Sequence, residues 1–443
     1  MPTLADPSRS LTVRAVPHQP HHAGAATPRR PVCLLCVRGT TERLLDLGHA
    51  PVVVGEVHAE DPSDAGAALR VARCGRCGVL QLEDTLDDER RQMIATATSQ
   101  RAFAGRPDSA RRFCEEAIDR WRLRGDGHIV EVGSGTGSLL RFFRAWQLPV
   151  LGIEPDPRLT RYARLRRIPT WRATFDAAVA GRMARNDLRA DLLIISIPTG
   201  AFDDLTQVFA AAATVLRPGG VLTLEVPDVL RIVGRTRFDS LRHTDRAIPS
   251  LRQLQELVAA HGLDVVDVER GGMADDRLRV WIRSRQPGAS VMAHPRLRTR
   301  LRAERANGVE HRDTVAAFGK RVDLVRRQIR GLLDNAVQRR CTVALWGTSS
   351  EAVALAFAAG VTRRDVAYAV DPEGVEGGGV LQHTDIPILG PVDAADRRPD
   401  LVLALDDLAA APRGWDGVPI YAVSDLVDVV HRLTDDLAVH FAR

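Results

Sequence analysis

Three glycines in alternate positions follow a short apolar stretch in the first third of the chain. Residues 128–132 are rich in β-branched side chains, which is typical of a buried strand, and Gly133, Gly135 and Gly137 come directly after them. Helix-type sequence resumes at Ser138. This order of strand, glycine turn and helix is that of a nucleotide-binding βα unit. The dinucleotide fingerprint needs its third glycine where this chain has Ser138, so the spacing favours another cofactor.

The same stretch resembles motif I of class I S-adenosylmethionine (SAM) methyltransferases. Glu131 lies two residues before the first glycine, and Glu154 follows the next predicted strand. A carboxylate in that second place can accept hydrogen bonds from two ribose hydroxyls. The resemblance implies that SAM is held by residues at three strand ends: Glu131, Gly133, Ser134, Gly135, Gly137, Glu154 and Ser196. The alternative is a glycine turn and an exposed acid that bind no ligand.

Four cysteines form two C-x-x-C pairs: Cys33, Cys36, Cys74 and Cys77. Each pair can bind one metal ion from one side, and four thiolates complete the tetrahedral shell that zinc prefers. Because a four-cysteine shell has no open position, we predict structural Zn²⁺ rather than catalytic zinc. A redox C-x-x-C motif occurs once beside a βαβ unit, and disulfides are rare in cytosolic chains. The remaining cysteines, Cys114 and Cys341, are expected to be buried packing residues.

Length and composition exclude several classes of protein. The 443 residues are 45% hydrophobic and 26% charged, which is ordinary for a globular chain of about three domains. No stretch nears the 18 or so apolar residues of a membrane span, and the N-terminus lacks a signal-peptide layout. The formal net charge is only +5, and scarce aromatic residues argue against nucleic-acid binding. We expect a cytoplasmic protein, monomeric or a small homo-oligomer, with a small-molecule substrate.

The chain is predicted to comprise four consecutive parts. Residues 1–30 lack periodicity and are predicted to be a disordered tail. Residues 31–85 form the zinc-binding module, and residues 86–284 form the SAM domain. Residues 285–443 comprise a basic helical connector and a second Rossmann-like α/β domain.

Coarse secondary structure supports this division. Between Glu154 and the connector, helices are predicted at 202–216 and 250–260, and strands at 191–195, 221–226, 263–268 and 278–283, with a turn at 217–220. In the last part, Gly347 follows one predicted strand and Asp371 follows the next, as in a nucleotide-binding sheet. For these two residues the alternative is a packing domain whose ligand edge is unused.

Taken together, the motifs resemble the C-methyltransferases that act on nucleotide-activated deoxysugars in antibiotic pathways. In that family a zinc module precedes a SAM domain, and a Rossmann-like domain follows. The resemblance extends over residues 31–443, and its local matches are the four cysteines, residues 131–137, 222–227, 238–241, Asp371 and residues 384–388. It implies a class I SAM-methyltransferase fold, SAM and Zn²⁺ as cofactors, and a nucleotide sugar as substrate.

The chain departs from that family where the catalytic group is expected. Members carry Tyr-His-Glu-His after the Phe-Asp match, whereas this chain has Arg-His-Thr-Asp at residues 242–245. The family sequence Asn-Val-Leu-x-His is replaced at residues 196–200, and Pro-His is replaced by Pro-Asp at residues 227–228. Tyrosines expected soon after the zinc module are missing between residues 86 and 103.

Methylation of a carbon beside a ketone needs a base to remove a proton and a donor to stabilise the enolate. Asp245 is the candidate base, and His243 or Arg242 the candidate anion stabiliser. O- or N-methylation demands less, since the acceptor has a lone pair and positioning contributes most of the acceleration. The alternative is that Arg242 and Asp245 form an ordinary surface ion pair.

The sequence is therefore compatible with three kinds of function. The first is a SAM-dependent methyltransferase that acts on a nucleotide sugar or a related natural-product intermediate. The second keeps the fold and the pocket but catalyses a different reaction. The third is a non-catalytic binding or scaffold subunit.

Overall fold

The structure is a computed structural model of the chain. It describes residues 33–36, 38–50, 52, 66–83, 86–87, 90–91, 94, 96, 107–202, 204–271, 277–286, 288, 292–372, 374, 378–381, 384–405 and 414–423. The predicted tail at residues 1–30 and most of the segment between 84 and 106 lie outside the described residues.

A four-stranded antiparallel sheet carries the cysteine pairs. Its strands lie in the order β1-β2-β3-β9, with the bounds Thr41–Ala50, Ala67–Cys74, Leu80–Leu82 and Ala247–Ile248. In β1, Leu45 and Leu47 are buried whereas Asp46 between them is exposed, the alternation of a sheet with one covered face. Because β9 lies far along the chain, this sheet is completed by residues from the predicted SAM domain.

A seven-stranded sheet forms the centre of the molecule. Its seven strands are, in chain order, β4 Ile129–Val132, β5 Val150–Ile153, β6 Thr170–Trp171, β7 Ala190–Ile195, β8 Leu216–Pro227, β10 Leu263–Arg270 and β11 Arg277–Ser284. They lie in the order β10-β11-β8-β7-β4-β5-β6. Strand β11 runs antiparallel to both neighbours, and the other pairings are parallel. This is the strand arrangement of class I SAM methyltransferases, and the predicted fold class is confirmed.

Helices cover both faces of this sheet. Their bounds are α1 Pro107–Trp121, α2 Leu140–Ala145, α3 Pro157–Leu165, α4 Ala177–Arg185, α5 Leu205–Val215, α7 Leu251–Ala259 and α8 Pro295–Ala306. A further short helix, α6 Val229–Gly234, follows β8 and packs in the core that contains the buried leucines of β1. Ile129 packs with α1 and α2 on one face, and its neighbour Val130 packs with α4, α5 and α7 on the other. Since both faces are covered, apolar residues can follow one another along a strand, which explains the apolar runs in the sequence.

Two predicted boundaries differ from the structure. The helix predicted at residues 202–216 begins only at Leu205, because the side chain of Asp204 accepts the backbone N–H of Thr206 and caps it. The turn predicted at residues 217–220 lies inside β8 as an irregularity in its pairing with β7, where Gly219 adopts a φ of 80°. The strand therefore begins earlier than the sequence indicates.

The basic connector ends in one long helix, α9 Arg312–Gln338. Its buried side chains recur every three or four residues, and they include Val315, Phe318, Val322, Val325 and Ile329. This apolar stripe belongs to the core that also contains the buried leucines of β1. Among the described helices, none has both the length and the apolar character needed to span a bilayer.

A five-stranded parallel sheet follows the connector. Its strands are β12 Val343–Trp346, β13 Tyr368–Val370, β14 Ile388–Leu389, β15 Leu401–Ala404 and β16 Ile420–Ala422, in the order β14-β13-β12-β15-β16. Helices α10 Ser350–Ala358 and α11 Pro391–Ala395 accompany it. Strand order reverses on the two sides of β12, which is the Rossmann-like topology predicted from the sequence.

Candidate active site

The glycine turn after β4 has the backbone geometry that its residues suggest. Gly133, Gly135 and Gly137 have φ values of 72°, 53° and 75°, a region that residues with a Cβ rarely adopt. A Cβ on Gly137 would also lie 2.8 Å from Cγ1 of Ile168. The Gly133 N–H donates to the carbonyl of Ile153 at 2.8 Å, which fixes the turn against the end of β5.

Glu154 is completely buried beside this turn. Its Oε2 accepts the backbone N–H of Gly135 at 2.9 Å, and its Oε1 accepts the N–H of Asp156 at 3.0 Å. The structure therefore joins Glu154 to the glycine turn, as a shared ligand site requires. The alternative of an exposed acid is wrong.

Glu131 and Ser196 meet at the ends of adjacent strands. The Ser196 hydroxyl donates to Oε1 of Glu131 at 2.7 Å. Burial raises the pKa of Glu131 to about 8, with a further contribution from the nearby charge of Glu154. A neutral, protonated Glu131 is thus the favoured form near neutral pH in the absence of a nearby cation.

Buried polar atoms that follow or end β4 and β7 fit a polar ligand. Within the described part of the chain, three of them have no hydrogen-bond partner: Oε2 of Glu131, Oγ of Ser134 and Oγ1 of Thr199. Native structures satisfy most such atoms, because an unpaired buried polar group is destabilising. The amino-acid and ribose groups of SAM supply suitable partners. The individual contacts with SAM stay predictions.

The four cysteine sulfurs meet as the sequence predicts. All four lie within 4.8 Å of one another, with 3.5 Å between Cys33 and Cys77 and 3.8 Å between Cys36 and Cys74. A tetrahedral zinc with Zn–S bonds of about 2.3 Å requires sulfurs about 3.8 Å apart, whereas a disulfide requires about 2.05 Å. The arrangement fits a metal ion, and all four residues are free thiols.

Backbone amides surround these sulfurs. The N–H groups of Leu35 and Cys36 donate to Cys33 Sγ at 3.4 Å, and those of Arg76 and Cys77 donate to Cys74 Sγ at 3.4 and 3.5 Å. These donors stabilise thiolates, the form that binds metal. The contact with the Cys77 thiol lowers the pKa of Cys33 to about 5 and raises the pKa of Cys77.

The two cysteines outside the cluster differ in burial. Cys114 is buried on the core-facing side of α1, as expected. Burial raises its pKa to about 12, so it is an inert thiol at neutral pH. Cys341 is only partly buried.

Asp245 lies in the interior and is paired with an arginine that is distant in sequence. Arg277, at the start of β11, donates to both carboxylate oxygens of Asp245 at 2.8 and 2.9 Å. Asp245 is only 1% exposed. The guanidinium fork holds this carboxylate in one orientation.

A second pair lies beside the first. Arg279 donates to Oε1 of Glu225 at 3.1 Å, and Arg277 also donates to the Glu225 carbonyl at 3.2 Å. We call these four residues, Glu225, Asp245, Arg277 and Arg279, the charge cluster. The two arginines alternate along β11 directly opposite the end of β8, so side chains two residues apart share one face. The alternation of the two arginines is visible in the sequence, but the antiparallel pairing with β8 is what places them beside Glu225.

The other two candidate catalytic residues have different partners. His243 is buried, and its Nε2 lies 3.1 Å from the carbonyl of Ala68 on β2. Since a carbonyl only accepts, Nε2 carries the hydrogen. The Arg242 guanidinium contacts Glu351 at the start of α10. The alternative of a surface ion pair between Arg242 and Asp245 is therefore wrong.

The end of β7 connects the glycine turn to the charge cluster. Gly200, four residues after Ser196, donates its N–H to the carbonyl of Thr244 at 2.8 Å. A side chain on Gly200 would collide with the backbone at Thr244. The ends of β4, β5, β7 and β8 and the start of β11 all lie at the same edge of the sheet, where α/β proteins bind ligands.

Comparisons with known proteins agree with this geometry. Residues 106–268 match a methyltransferase domain family, and residues 275–407 match the C-methyltransferase C-terminal domain family. The chain is 28% identical to C-methyltransferase NovU of Streptomyces niveus over 387 residues, which cover 85% of this chain and 90% of that protein.

Two solved methyltransferase structures match less than half of the chain. The plantazolicin methyltransferase BpumL in complex with SAH matches at 11% identity and a TM-score of 0.33, covering 45% of this chain and 98% of that one. A SAM-dependent methyltransferase from Clostridium acetobutylicum matches at 12% identity and a TM-score of 0.31, covering 40% and 92%.

The strand order, the glycine turn and the two family matches lead to one conclusion. The two family matches extend over the seven-stranded sheet and most of the five-stranded sheet, and the similarity to NovU covers 85% of the chain. These matches favour an enzyme over the non-catalytic alternative. The chain is a SAM-dependent methyltransferase, and it is similar to C-methyltransferases over most of its length.

Proposed function

We propose that this methyltransferase transfers the methyl group of SAM to a carbon beside a ketone in a nucleotide-activated sugar or a closely related natural-product intermediate. The likeness to a C-methyltransferase over most of the chain supports carbon as the acceptor atom. The observation that carries the proposal is the buried charge cluster at the same sheet edge as the glycine turn.

SAM would be held by the residues around the turn. Glu154 would exchange its bond to the Gly135 N–H for ribose hydroxyls, and Ser196 with Glu131 would contact the amino-acid end. When bound, SAM supplies a methyl group attached to a positively charged sulfur, and this sulfur becomes a neutral thioether once the methyl group is transferred. The cation also favours the ionised form of Glu131.

Asp245 would remove the proton from the acceptor carbon. A carboxylate has about four lone-pair sites, and Arg277 occupies one on each oxygen, so a site for the proton remains. As the C–H bond breaks, its electron pair forms a carbon–carbon double bond, and the carbonyl π pair moves to the ketone oxygen to give an enolate. The charge cluster is neutral with Asp245 ionised and gains one positive charge when Asp245 is protonated, which stabilises that enolate.

Zn²⁺ would be a structural ion in this scheme. Four sulfur ligands leave no position for substrate, so no step of the reaction uses the metal. A cytoplasmic location and a monomeric or small homo-oligomeric state stay predictions of the sequence.

Methyl-labelled SAM and a panel of nucleoside-diphosphate keto-deoxysugars test the proposal. Each keto sugar is paired with the corresponding hydroxy sugar, and label in the product is located by NMR. We expect label on carbon with keto sugars alone. Label on oxygen, or label with the hydroxy sugar only, would contradict C-methylation, and intact SAM throughout would contradict the substrate class.

The role of Asp245 has a separate test that needs no methyl transfer. With SAH in place of SAM, the wild-type protein should exchange the α-proton of the accepted keto sugar for deuterium from D₂O. Asp245→Asn should slow this exchange about 10²- to 10⁴-fold, the usual contribution of a positioned base, and should leave SAH affinity unchanged. Equal exchange in both proteins would refute the assignment.

A further inference from the structure

The segment that carries the candidate catalytic residues is built into the zinc-module sheet. We call residues 242–248 the acceptor segment. Its last two residues form β9, where Ala247 pairs with Gln81 and Ile248 with Leu80. The backbone carbonyl of Arg246 accepts a hydrogen bond from the N–H of Leu82 at 2.9 Å. Together with the contact of His243 to Ala68, these bonds attach the segment to β2 and β3.

The middle of the acceptor segment faces the other way. Asp245 is held by Arg277 of the SAM sheet, and the carbonyl of Thr244 accepts the N–H of Gly200 at the end of β7. The segment is thus clamped between two sheets, and the position of its side chains depends on both.

Gln81 connects the first cysteine pair to the acceptor segment. It is 2% exposed, and its backbone pairs with Ala247. Its side-chain Oε1 accepts the N–H of Leu34 at 2.8 Å, inside the Cys33–Cys36 turn. Gln81 therefore contacts the Cys33–Cys36 turn through its side chain and β9 through its backbone.

Gln253 makes the equivalent connection to the second cysteine pair. Its Nε2 donates to the carbonyl of Cys77 at 2.8 Å, and its Oε1 accepts the N–H of Ser250 in the capping box that starts α7. Ser250 follows β9 by two residues. Both cysteine turns are thus hydrogen-bonded to residues that border the acceptor segment.

We infer that the metal ion positions the acceptor segment, with Gln81 and Gln253 as positioning residues that act through β9 and α7. The ion joins the two cysteine turns, and these turns fix β3 and the start of α7. The SAM turn is held by its own sheet through Gly133 and Glu154. Loss of the metal should release the acceptor segment while SAM binding persists. The inference rests on the proposed function only in treating the segment as the acceptor side.

The first test removes the metal from the full-length protein with a chelator. Zinc content is measured by atomic emission, hydrogen exchange by mass spectrometry, and SAH affinity by calorimetry. We expect exchange in peptides covering residues 242–248 to rise at least tenfold, exchange in residues 129–154 to stay unchanged, and the SAH Kd to stay within twofold. Retained protection of residues 242–248, or equal loss in both regions, overturns the inference.

A second test leaves the metal in place and cuts one connection. Gln81→Leu keeps the volume of the side chain but removes the acceptor for the Leu34 N–H. We expect unchanged zinc content and SAH affinity, and faster exchange at β9. Gln286→Leu, at an exposed glutamine that donates to Pro218, is the matched control. The inference fails if Gln81→Leu exchanges at β9 like this control.

These readouts separate the inference from the proposed function. Hydrogen exchange and SAH binding need no acceptor, so they remain informative if no nucleotide sugar is methylated. If an acceptor is found, Gln81→Leu should raise its KM or lower kcat without changing the KM for SAM. Gln81→Glu has a carboxylate that also accepts the Leu34 N–H, so a return of the acceptor KM and kcat to wild-type values in this variant would support the positioning role. Failure of that rescue would count against it.

Discussion

The buried carboxyl of Glu131 should make stability fall as the pH rises. Burial raises its pKa from 4.5 to about 8, so between these values the folded protein holds a proton that the unfolded chain has released. Stability then decreases with pH, because the folded state binds more protons. The contribution is fully present below pH 4.5 and is lost as the pH passes through 8.

The size of this effect follows from the shift. One pKa unit corresponds to about 1.4 kcal/mol, so the interval from 4.5 to 8 amounts to about 5 kcal/mol as an upper limit. Glu131 is only 2% exposed, so solvent screening reduces this little. Glu131→Gln keeps the acceptor for the Ser196 hydroxyl and has no titration, so it should remove this part of the pH dependence.

Glu304 provides an internal comparison. Burial raises its pKa to about 7, so it contributes about 3 kcal/mol that is lost by pH 7. Wild-type protein, Glu131→Gln and Glu304→Gln are unfolded in urea between pH 5 and 8.5, with coincident fluorescence and circular dichroism curves required for a free energy. Only Glu131→Gln should flatten the decline between pH 7 and 8. An unchanged decline in that variant would refute the reasoning.

Two further variants test the packing of the site. Arg277→Met leaves the buried carboxylate of Asp245 without its guanidinium and should lower the free energy of unfolding by about 3–5 kcal/mol. Adding Asp245→Asn should recover part of this loss, as measured by urea unfolding. A double variant no more stable than Arg277→Met would contradict the pairing. Gly137→Ala forces a Cβ into a φ of 75° and against Ile168, which should cost about 1–2 kcal/mol and weaken SAH binding in calorimetry, whereas an unchanged SAH Kd would show that the turn tolerates a side chain.

Local patterns were sufficient for much of the fold. The apolar runs of β4 and β7 predict buried strands because both faces of the sheet are covered. The order of strands and helices predicts the α/β class. Boundaries were less accurate, since the cap at Asp204 and the irregularity around Gly219 depend on contacts with neighbouring elements.

The glycine turn and the grouping of the cysteines were also predictable. Short-range rules govern them, because glycine is strongly favoured where φ is positive and a C-x-x-C pair can bring two sulfurs to one ion. The acceptor side was not, since the partners of Arg242 and Asp245 lie far away in sequence, at Glu351 and Arg277.

The sequence by itself thus determined the glycine turn, the two C-x-x-C pairs and the class of cofactor, because each is encoded in a motif of a few residues. Only the tertiary structure decided that Asp245 is buried against Arg277, and that β9 completes the zinc-module sheet. Strand pairing and sheet register bring these groups together, and both depend on packing summed over the whole molecule rather than on any local pattern.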